Sequence, residues 1–360
     1  MDILPNHVRR PLGGREVCPV GLGCMSLAEV YGPPPSAQEA ARLLDRALDC
    51  GYDHLDTARI YGLGLSEQLI GDALHTRRKS FYLASKTGIF PDGDMRRIDC
   101  RPEMILGAVE ESLRLLRTDH IDLYYLHRRD FTVPIEDSVG ALADLVRAGK
   151  IGGIGLSEMS AATLRRAHAV HPITAMQTEY SLWTRQVEIA VLDACRELGV
   201  ALVAFSPLGR GALAGSPADP ANLGASDLRH QFPRLDAAHW PHNRDLIAQL
   251  GTLAGEAGLT RAQLCLAWVL SRGGDVHTIP GTASLAHLEE NIATLRMQVD
   301  ADILARAGAL ISPQTVSGPR YPPNMQKTID TEDYASGRLN RFRRRDAGQG
   351  QFRFRPSADP

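Results

Sequence analysis

Short apolar runs alternate with amphipathic stretches along most of the chain. Eight such runs predict strands, at residues 19–23, 54–56, 81–86, 121–127, 151–157, 175–177, 201–206 and 276–280. The stretches between them, such as AQEAARLLDRALDC and PEMILGAVEESLRLL, have apolar residues at positions i, i+3, i+4 and i+7, which predicts helices with one buried face. Ser36 and Pro102 are start signals for two of these helices, and Gly51 and Gly149 are stop signals. Eight strands separated by helices predict an α/β fold of the (β/α)8 TIM-barrel type.

Two doubly wound dinucleotide-binding domains are the alternative for a chain of this length. Such a domain needs the pattern G-x-G-x-x-G directly after a strand, and the candidates GLGCMS and GLGLSE both lack the third glycine. We therefore expect a single barrel domain over residues 1–323, with an N-terminal lid segment. Residues 324–360 form a basic C-terminal extension with little apolar content, which predicts a partly disordered tail. An arm that binds nucleic acid or a partner is the alternative interpretation of this tail.

Composition narrows the function classes. The 360 residues have a net charge of −2, which gives no general attraction to nucleic acid or to an anionic membrane. No apolar run approaches the roughly 18 residues that span a bilayer, and the start MDILPNHVRR lacks a signal-peptide core. The six cysteines are scattered without a CxxC pair, which favours reduced thiols in a cytoplasmic protein. A small molecule is the expected partner, and the sequence does not predict an oligomeric state.

Polar residues stand where the predicted strands end. Asp56, Lys86 and His127 end the second, third and fourth strands, and Tyr61 follows Asp56 in a glycine-flanked loop. Because barrel enzymes hold their chemistry at the C-terminal ends of the strands, we expect these four side chains to meet at one rim. Titratable groups gathered in this way are typical of catalytic sites. Arg59, in the same loop as Tyr61, either attracts an anionic substrate or faces solvent.

This set of four suits proton transfer to a carbonyl oxygen while a hydride arrives at the carbon. A free phenol, with a pKa of about 10, is a weak acid at neutral pH. The Lys86 ammonium is expected to lower the pKa of Tyr61, and Asp56 keeps that ammonium charged and in place. His127 would orient the substrate oxygen by a hydrogen bond.

A metal-dependent barrel hydrolase is a rival, because His54, Asp56 and His127 are all potential metal ligands. That chemistry needs further His or Asp residues at later strand ends. The fifth to eighth strands end instead in Ser, Gln, Phe and Pro, so we predict no metal site.

Several motifs over residues 13–323 carry a family resemblance: GYDHLDTARIYG, ASKTG, EESLRLLRTDHIDLYYLHRRD, GKIGGIGLSEMS, AFSPLGRGALAG and IPGTASLAHLEENI. With these motifs the chain resembles the aldo-keto reductases, NADP-dependent oxidoreductases with a (β/α)8 barrel. It looks closest to the bacterial and plant branch that reduces aldehydes and small ketones. The resemblance implies the same catalytic residues: Tyr61 as acid and base, Lys86 and Asp56 as the groups that tune it, and His127 as the substrate orienter.

The resemblance also implies cofactor contacts. Ser157 and Gln177 would bind the nicotinamide carboxamide, and Phe205 would stack on its ring. Further contacts are implied for Gly23, Ser206, Leu208, Gly209, Arg210, Gly281, Thr282, His287, Glu290 and Asn291. NADPH is the implied cofactor. NAD stays open as an alternative, because Lys and Arg are absent from the expected 2′-phosphate positions and His287 is the cationic candidate there.

The sequence thus predicts an NAD(P)H-dependent oxidoreductase that reduces an aldehyde or ketone carbonyl to an alcohol, with Tyr61 as the general acid. Two alternatives remain open. One is a cofactor-binding regulatory or sensor protein of the same fold, and the other is a sugar or alcohol dehydrogenase that works in the oxidative direction. The sequence does not identify the substrate.

Overall fold

The computed structural model describes residues 8–28, 30–93, 95–217 and 219–334, and the backbone of residues 352 and 353. Its strands are β1 (Arg10–Leu12), β2 (Arg15–Val17), β3 (Leu22–Gly23), β4 (His54–Asp56), β5 (Tyr82–Thr87), β6 (Ile89–Asp92), β7 (Met95–Ile98), β8 (Leu123–Leu126), β9 (Ile154–Ser157), β10 (Ile173–Glu179), β11 (Ala201–Phe205), β12 (Val276–Ile279) and β13 (Phe352–Arg353). Its helices are α1 (Ala37–Asp49), α2 (Leu65–Leu74), α3 (Pro102–Leu116), α4 (Ile135–Arg147), α5 (Ala161–Val170), α6 (Val191–Leu198), α7 (Trp240–Glu256), α8 (Arg261–Leu270), α9 (Leu285–Ala293), α10 (Ala301–Leu310) and α11 (Pro323–Gln326).

Eight of these strands form one parallel sheet in the order β12-β11-β10-β9-β8-β5-β4-β3. Backbone bonds between residues 19–23 and β12 close it into a barrel: Gly21 N donates to Thr278 O at 2.8 Å, and Thr278 N donates to Pro19 O at 2.8 Å. At this seam a Cβ on Gly23 would lie 2.7 Å from Ile279 O, so only glycine fits. The predicted (β/α)8 barrel is confirmed, and each of its eight strands overlaps one of the predicted runs.

Local capping signals set the helix ends. Ser36 accepts a hydrogen bond from Glu39 N, and the Glu39 carboxylate accepts one from Ser36 N at 2.9 Å. Thr260 and Gln263 form the same reciprocal capping box at α8. Such caps stabilise a helix by about 1 kcal/mol. The cap at Thr260 also fixes the start of α8 at Arg261.

The β1–β2 hairpin covers the end of the barrel at which the strands begin. Leu12 and Val17 are buried there against Tyr82 and Leu123, the first residues of β5 and β8. Pro11 O accepts a hydrogen bond from His277 Nε2, with the two atoms 3.1 Å apart. The N-terminal lid segment therefore lies opposite the rim where Asp56 and Lys86 end their strands.

A second hairpin, β6–β7, follows β5 at the other rim, and β13 pairs with β7 through Phe352 and Arg96. Neither hairpin is among the predicted elements. The predicted disorder of the basic tail concerns residues 335–351 and 354–360, which lie outside the described residues. No helix of the described part is long and apolar enough to cross a membrane.

The start of the C-terminal extension contacts the barrel. Asp330 N donates to Glu158 O at 3.0 Å, and the Asp330 carboxylate accepts hydrogen bonds from Ser160 Oγ at 3.0 Å and Thr163 Oγ1 at 2.5 Å. Ile329 is 2% exposed. Residues 324–334 are thus held on the barrel beside β9 and α5.

Two histidines are buried in the barrel near the β1–β2 hairpin. His54 and His277 pack edge to face with ring centroids 6.4 Å apart. In the part of the chain that the structure describes, neither ring nitrogen of His54 has a hydrogen-bond partner. Burial lowers the pKa of His54 from 6.5 to about 4, and burial lowers the pKa of His277 to about 3.

We expect this pair to weaken the fold in acid. Both rings are neutral in the folded state, so the unfolded chain binds protons first as the pH falls below 6.5. The stabilisation is complete above that pH and is lost on the way down to the folded pKa. For His54 the loss by pH 4 is about 3 kcal/mol, at about 1.4 kcal/mol per pH unit.

Urea unfolding followed by circular dichroism between pH 7 and 4.5 measures this loss. The variant His54→Leu should show a shallower fall in unfolding free energy than the wild type. His75→Leu, at an exposed position, is the matched control and should keep the wild-type slope. Equal slopes for His54→Leu and the wild type would contradict the explanation.

Candidate active site

The four residues predicted to be catalytic lie together at the C-terminal rim of the barrel. Asp56 ends β4, Lys86 lies in β5, and His127 follows β8 directly. Tyr61 begins a short 3-10 turn after β4. The Lys86 ammonium donates hydrogen bonds to Asp56 Oδ1, to Thr57 O at 2.8 Å and to the Tyr61 hydroxyl at 3.5 Å. Parallel pairing of neighbouring strands brings these side chains together.

Tyr61 and His127 pack edge to face, with ring centroids 5.8 Å apart. His127 Nδ1 is buried and has no hydrogen-bond partner among the described residues. A proton on this nitrogen would lack an acceptor, which favours the tautomer that carries its proton on Nε2. Such a ring offers an N–H donor beside the Tyr61 hydroxyl.

The charge states follow from burial and from the neighbouring cations. Burial lowers the pKa of His127 well below its ordinary value, and Arg128, Lys86 and Arg96 lower it further. Burial alone would lower the pKa of Lys86, but Asp56 and Tyr61 raise it above its ordinary value. At neutral pH the site therefore combines a neutral imidazole with a charged ammonium.

The pKa of Tyr61 differs in part from the expectation. The Lys86 ammonium does act to lower the pKa of Tyr61, but burial raises it by more, and the pKa lies above its ordinary value. The phenol therefore keeps its proton throughout the neutral range. A group that must give up a proton to a carbonyl oxygen needs this protonation state.

A cavity of about 1010 Å3 runs from these residues to α8 and α9. It is lined by fifteen of the predicted residues: Gly23, Asp56, Tyr61, His127, Ser157, Gln177, Phe205, Ser206, Leu208, Arg210, Gly281, Thr282, His287, Glu290 and Asn291, the last two at its far end.

Two predicted residues do not line this cavity. Lys86 is fully buried behind Asp56 and Tyr61, as a group that acts through its neighbours would be. Gly209 has a φ of +56°, and a Cβ there would lie 2.6 Å from the Trp183 indole. Gly209 therefore packs against Trp183, and its cofactor contact stays a prediction.

Several predicted cofactor residues already have protein partners. Gln177 Nε2 donates one of its two hydrogens to Asp56 Oδ2 at 2.7 Å, so the other hydrogen and the carbonyl oxygen take no part in this bond. Arg210 donates to Glu179 at 3.1 Å and to the Tyr321 hydroxyl at 3.2 Å. Its charge is thus balanced by Glu179 inside the protein.

Glu158, next to Ser157, takes part in a buried ion network. It accepts two hydrogen bonds from Arg320, at 2.8 and 2.7 Å, and Arg320 Nε also donates to Glu179 at 3.0 Å. Burial would raise the pKa of Glu158, but Arg320 more than offsets this and holds it below its ordinary value. The network fastens the C-terminal segment to β9 and β10.

Four arginines that the sequence did not single out as site residues line the cavity: Arg96, Arg128, Arg229 and Arg261. Arg96 lies on β7, and Arg128 follows His127 directly. Arg261 is the first residue of α8, at the opposite end of the cavity. Its position directly after the Thr260 cap was the one available signal, because a helix that leads into the next barrel strand, here β12, begins at the C-terminal rim.

Within the described residues, no group of three or more His, Cys, Asp and Glu side chains is close enough to hold a metal ion. All six cysteines are buried, and no disulfide joins them in the described part of the chain. Burial raises the pKa of Cys24, which lines the cavity, so its thiol stays protonated.

Comparisons with known proteins agree with this arrangement. The pattern of the aldo/keto reductase family matches residues 19–311. A probable aldo-keto reductase of Glycine max is 40% identical over 313 residues, which are 86% of this chain and 89% of that protein.

Solved structures of a dehydrogenase and of a reductase are also similar to this chain. A glycerol dehydrogenase of Gluconobacter oxydans has a TM-score of 0.79 at 26% identity, with 89% of this chain and 99% of that chain covered. An aldo/keto reductase of Klebsiella pneumoniae, solved with NADP and acetate, has a TM-score of 0.67 at 28% identity, with 88% and 99% covered.

Proposed function

The chain belongs to the aldo/keto reductase family and is an NAD(P)H-dependent oxidoreductase, and from this we propose that it reduces an aldehyde or ketone to an alcohol with Tyr61 as the general acid. The observation that carries the proposal is the buried chain of contacts from Asp56 through Lys86 to the Tyr61 hydroxyl. This chain ends at a large cavity, beside the His127 ring.

The residues that line the cavity fit a nicotinamide dinucleotide. The Ser157 hydroxyl and the Gln177 carbonyl oxygen are the hydrogen-bonding groups near the catalytic residues, and Phe205 offers an aromatic face there. Asn291 and Glu290 would hold the adenine end. When bound in its reduced form, the nicotinamide supplies a hydride to the carbonyl carbon.

The protein residues would bind the carbonyl oxygen and protonate it. His127 Nε2–H and the Tyr61 hydroxyl donate to the same oxygen, which fixes its orientation and stabilises the negative charge that develops on it. Tyr61 then transfers its proton to that oxygen. Lys86 stabilises the resulting phenolate, and Asp56 keeps Lys86 charged.

For the cofactor we propose NADPH, with Arg261 in the place of the missing Lys or Arg after the IPG turn. Arg261 lines the adenine end of the cavity together with His287 and Asn291. Its Nη2 lies against Gly215, where a Cβ would be 2.2 Å away. No hydrogen bond or salt bridge of the Arg261 guanidinium occurs in the described part of the chain, so it is available for a 2′-phosphate.

Arg261→Gln should therefore weaken NADPH binding by about 10- to 100-fold, because a charge-assisted hydrogen bond contributes about 1.5–3 kcal/mol. The affinity for NADH should change little, since NADH lacks the phosphate. Isothermal titration calorimetry with both nucleotides measures the effect without any turnover.

Arg296→Gln removes the same charge at an exposed position outside the cavity, and its two affinities should match those of the wild type. If Arg261→Gln weakened both nucleotides equally, Arg261 would not recognise the phosphate. Equal affinities of the wild type for NADPH and NADH would instead support NAD as the alternative cofactor.

The protonation state of Tyr61 at neutral pH favours one direction of the reaction, reduction or oxidation, over the other. The name of the Gluconobacter oxydans relative, a glycerol dehydrogenase, favours alcohol oxidation as a second candidate. Oxidation needs Tyr61 as a base, and burial raises the pKa of this phenol. We therefore propose reduction as the reaction at neutral pH, with oxidation gaining as the pH rises.

The function is tested by following NADPH absorbance with a panel of aldehydes and ketones and by identifying the alcohol product. Turnover that yields one alcohol for each NADPH consumed supports the proposal. Tight nucleotide binding without turnover on any member would favour a cofactor-binding sensor. Absence of both binding and turnover would contradict the proposal itself.

A further inference from the structure

The substrate end of the cavity is unusually cationic. Arg96 and Arg128 both line it beside Tyr61 and His127. Both guanidinium groups act on the His127 imidazole strongly enough to lower its pKa, and Arg128 acts on Tyr61 in the same direction. With Lys86 behind Tyr61, three cations surround the place where a carbonyl oxygen would bind.

Arg128 lines the cavity, and its hydrogen bonds show how the side chain is held there. Its Nη1 donates to His127 O at 2.7 Å and lies 3.5 Å from Ser157 Oγ. Over residues 8–334, as far as the structure describes them, Arg128 has no salt bridge, and its Nε and Nη2 donors have no hydrogen-bond partner. These bonds hold the side chain between β8 and β9 and leave two donors for a ligand.

Two carboxylates near Arg128, those of Asp99 and Asp130, have other partners. Asp99 pairs with Arg97 at 2.5 Å and with Arg101 at 2.9 Å. Asp130 accepts hydrogen bonds from Cys100 N at 3.0 Å and from Thr132 N at 2.8 Å. Arg59, the cation that the sequence suggested for an anion, pairs instead with Glu111.

We propose that the physiological substrate is a carbonyl compound that carries a carboxylate or phosphate, and that Arg96 and Arg128 bind this anionic group while Tyr61 and His127 bind the carbonyl oxygen. This inference rests on the proposed carbonyl reduction, since it names the class of substrate for the same site. Arg96 comes from the β6–β7 hairpin and Arg128 from the segment after β8, so the anion would join two separate elements.

Electrostatics favour an anion over a neutral group here. Burial, and to a lesser extent the neighbouring Arg128 guanidinium, lowers the pKa of Arg96 to about 10. An anion between them relieves this repulsion and makes charge-assisted hydrogen bonds in a partly water-excluded site. A neutral substrate would leave the Arg128 guanidinium without an anionic partner.

The test compares two pairs of substrates that differ in one anionic group: 4-oxobutanoate with its methyl ester, and glyceraldehyde 3-phosphate with glyceraldehyde. The kcat/KM should be about 10- to 100-fold higher for the anionic member of at least one pair, as expected for hydrogen bonds to a charged group. The first pair identifies carboxylate recognition, and the second identifies phosphate recognition.

Arg128→Met should lower the ratio of kcat/KM between the anionic and the neutral member towards one, and Arg96→Met should lower it too. Arg97→Met is the matched control, because Arg97 is adjacent to Arg96, pairs with Asp99 and does not line the cavity. It should keep the wild-type ratio. Arg97→Met lowering the ratio as much as Arg128→Met would mean that net charge acts without a specific site.

Turnover of both neutral members at rates equal to the anionic ones would overturn the inference and leave carbonyl reduction standing. Failure of the proposed reduction looks different, because then neither member of either pair would consume NADPH. Circular dichroism of each variant, recorded alongside the kinetics, separates lost recognition from lost folding.

Discussion

Tyr61→Phe is expected to lower kcat by about 10²- to 10⁴-fold, the range that a positioned general acid contributes. The change removes one hydroxyl that receives a hydrogen bond from Lys86 at 3.5 Å and faces the cavity. Because that hydroxyl acts on the transition state, the affinity for the cofactor should stay within about twofold. Stopped-flow single-turnover kinetics, together with calorimetric titration of NADPH, measures both quantities.

Tyr124→Phe is the matched control for this experiment. Tyr124 is also a buried barrel tyrosine, but its hydroxyl bonds to Ser112 at 3.0 Å and does not reach the cavity. Its loss should leave kcat close to the wild-type value. If Tyr61→Phe retained most of its single-turnover rate, another group would have to be the acid, and the assignment of Tyr61 would fail.

Lys86→Met should lower both the rate and the stability. The ammonium is fully buried, and without it the Asp56 carboxylate, 2% exposed, is left without its cationic partner. Breaking a buried pair in this way costs about 3–5 kcal/mol of unfolding free energy. The phenolate that Tyr61 becomes during the reaction also loses its stabilising cation, so kcat should fall strongly. Urea unfolding and single-turnover rates measure the two losses separately.

The double variant Lys86→Met with Asp56→Asn distinguishes the structural role of Lys86 from its catalytic one. Asn removes the buried charge but keeps an oxygen that accepts the hydrogen bond of Gln177, which is 2.7 Å long in the wild type. Most of the unfolding free energy should therefore return. Activity should not return with it. Recovery of kcat in the double variant would mean that Lys86 serves the fold alone.

The sequence predicted the barrel and its rim well because both follow from short-range patterns. Each strand is a compact apolar run, and the polar residue that ends it must lie at the rim once the strands are parallel. Asp56, Lys86 and His127 were found in this way, and the glycine-flanked loop added Tyr61. Knowing only that strands alternate with helices was enough to bring these four together.

The features that were missed depend on contacts between distant parts of the chain. Arg320 binds Glu158, 162 residues earlier, and no periodic pattern marks such a pair. Arg261 reaches the cofactor cavity only because α8 begins at its edge. The direction in which the pKa of Tyr61 shifts also could not be predicted from the sequence. The motifs indicate Lys86 as a neighbour, but the extent of burial, which raises the pKa more, depends on the whole rim.

Because the ion network around Arg320 holds the C-terminal segment on the barrel, this segment can be replaced by the corresponding segment of a relative. Tyr321, Met325 and Ile329 form one wall of the cavity, and Arg320 carries the fastening of that wall to Glu158 and Glu179. The wall and the arginine that holds it therefore lie within ten consecutive residues, whereas the two glutamates belong to the barrel. A chimera that takes this segment from a relative should change which carbonyl compounds are accepted while the barrel chemistry stays the same, provided that the arginine and its two glutamates are kept together.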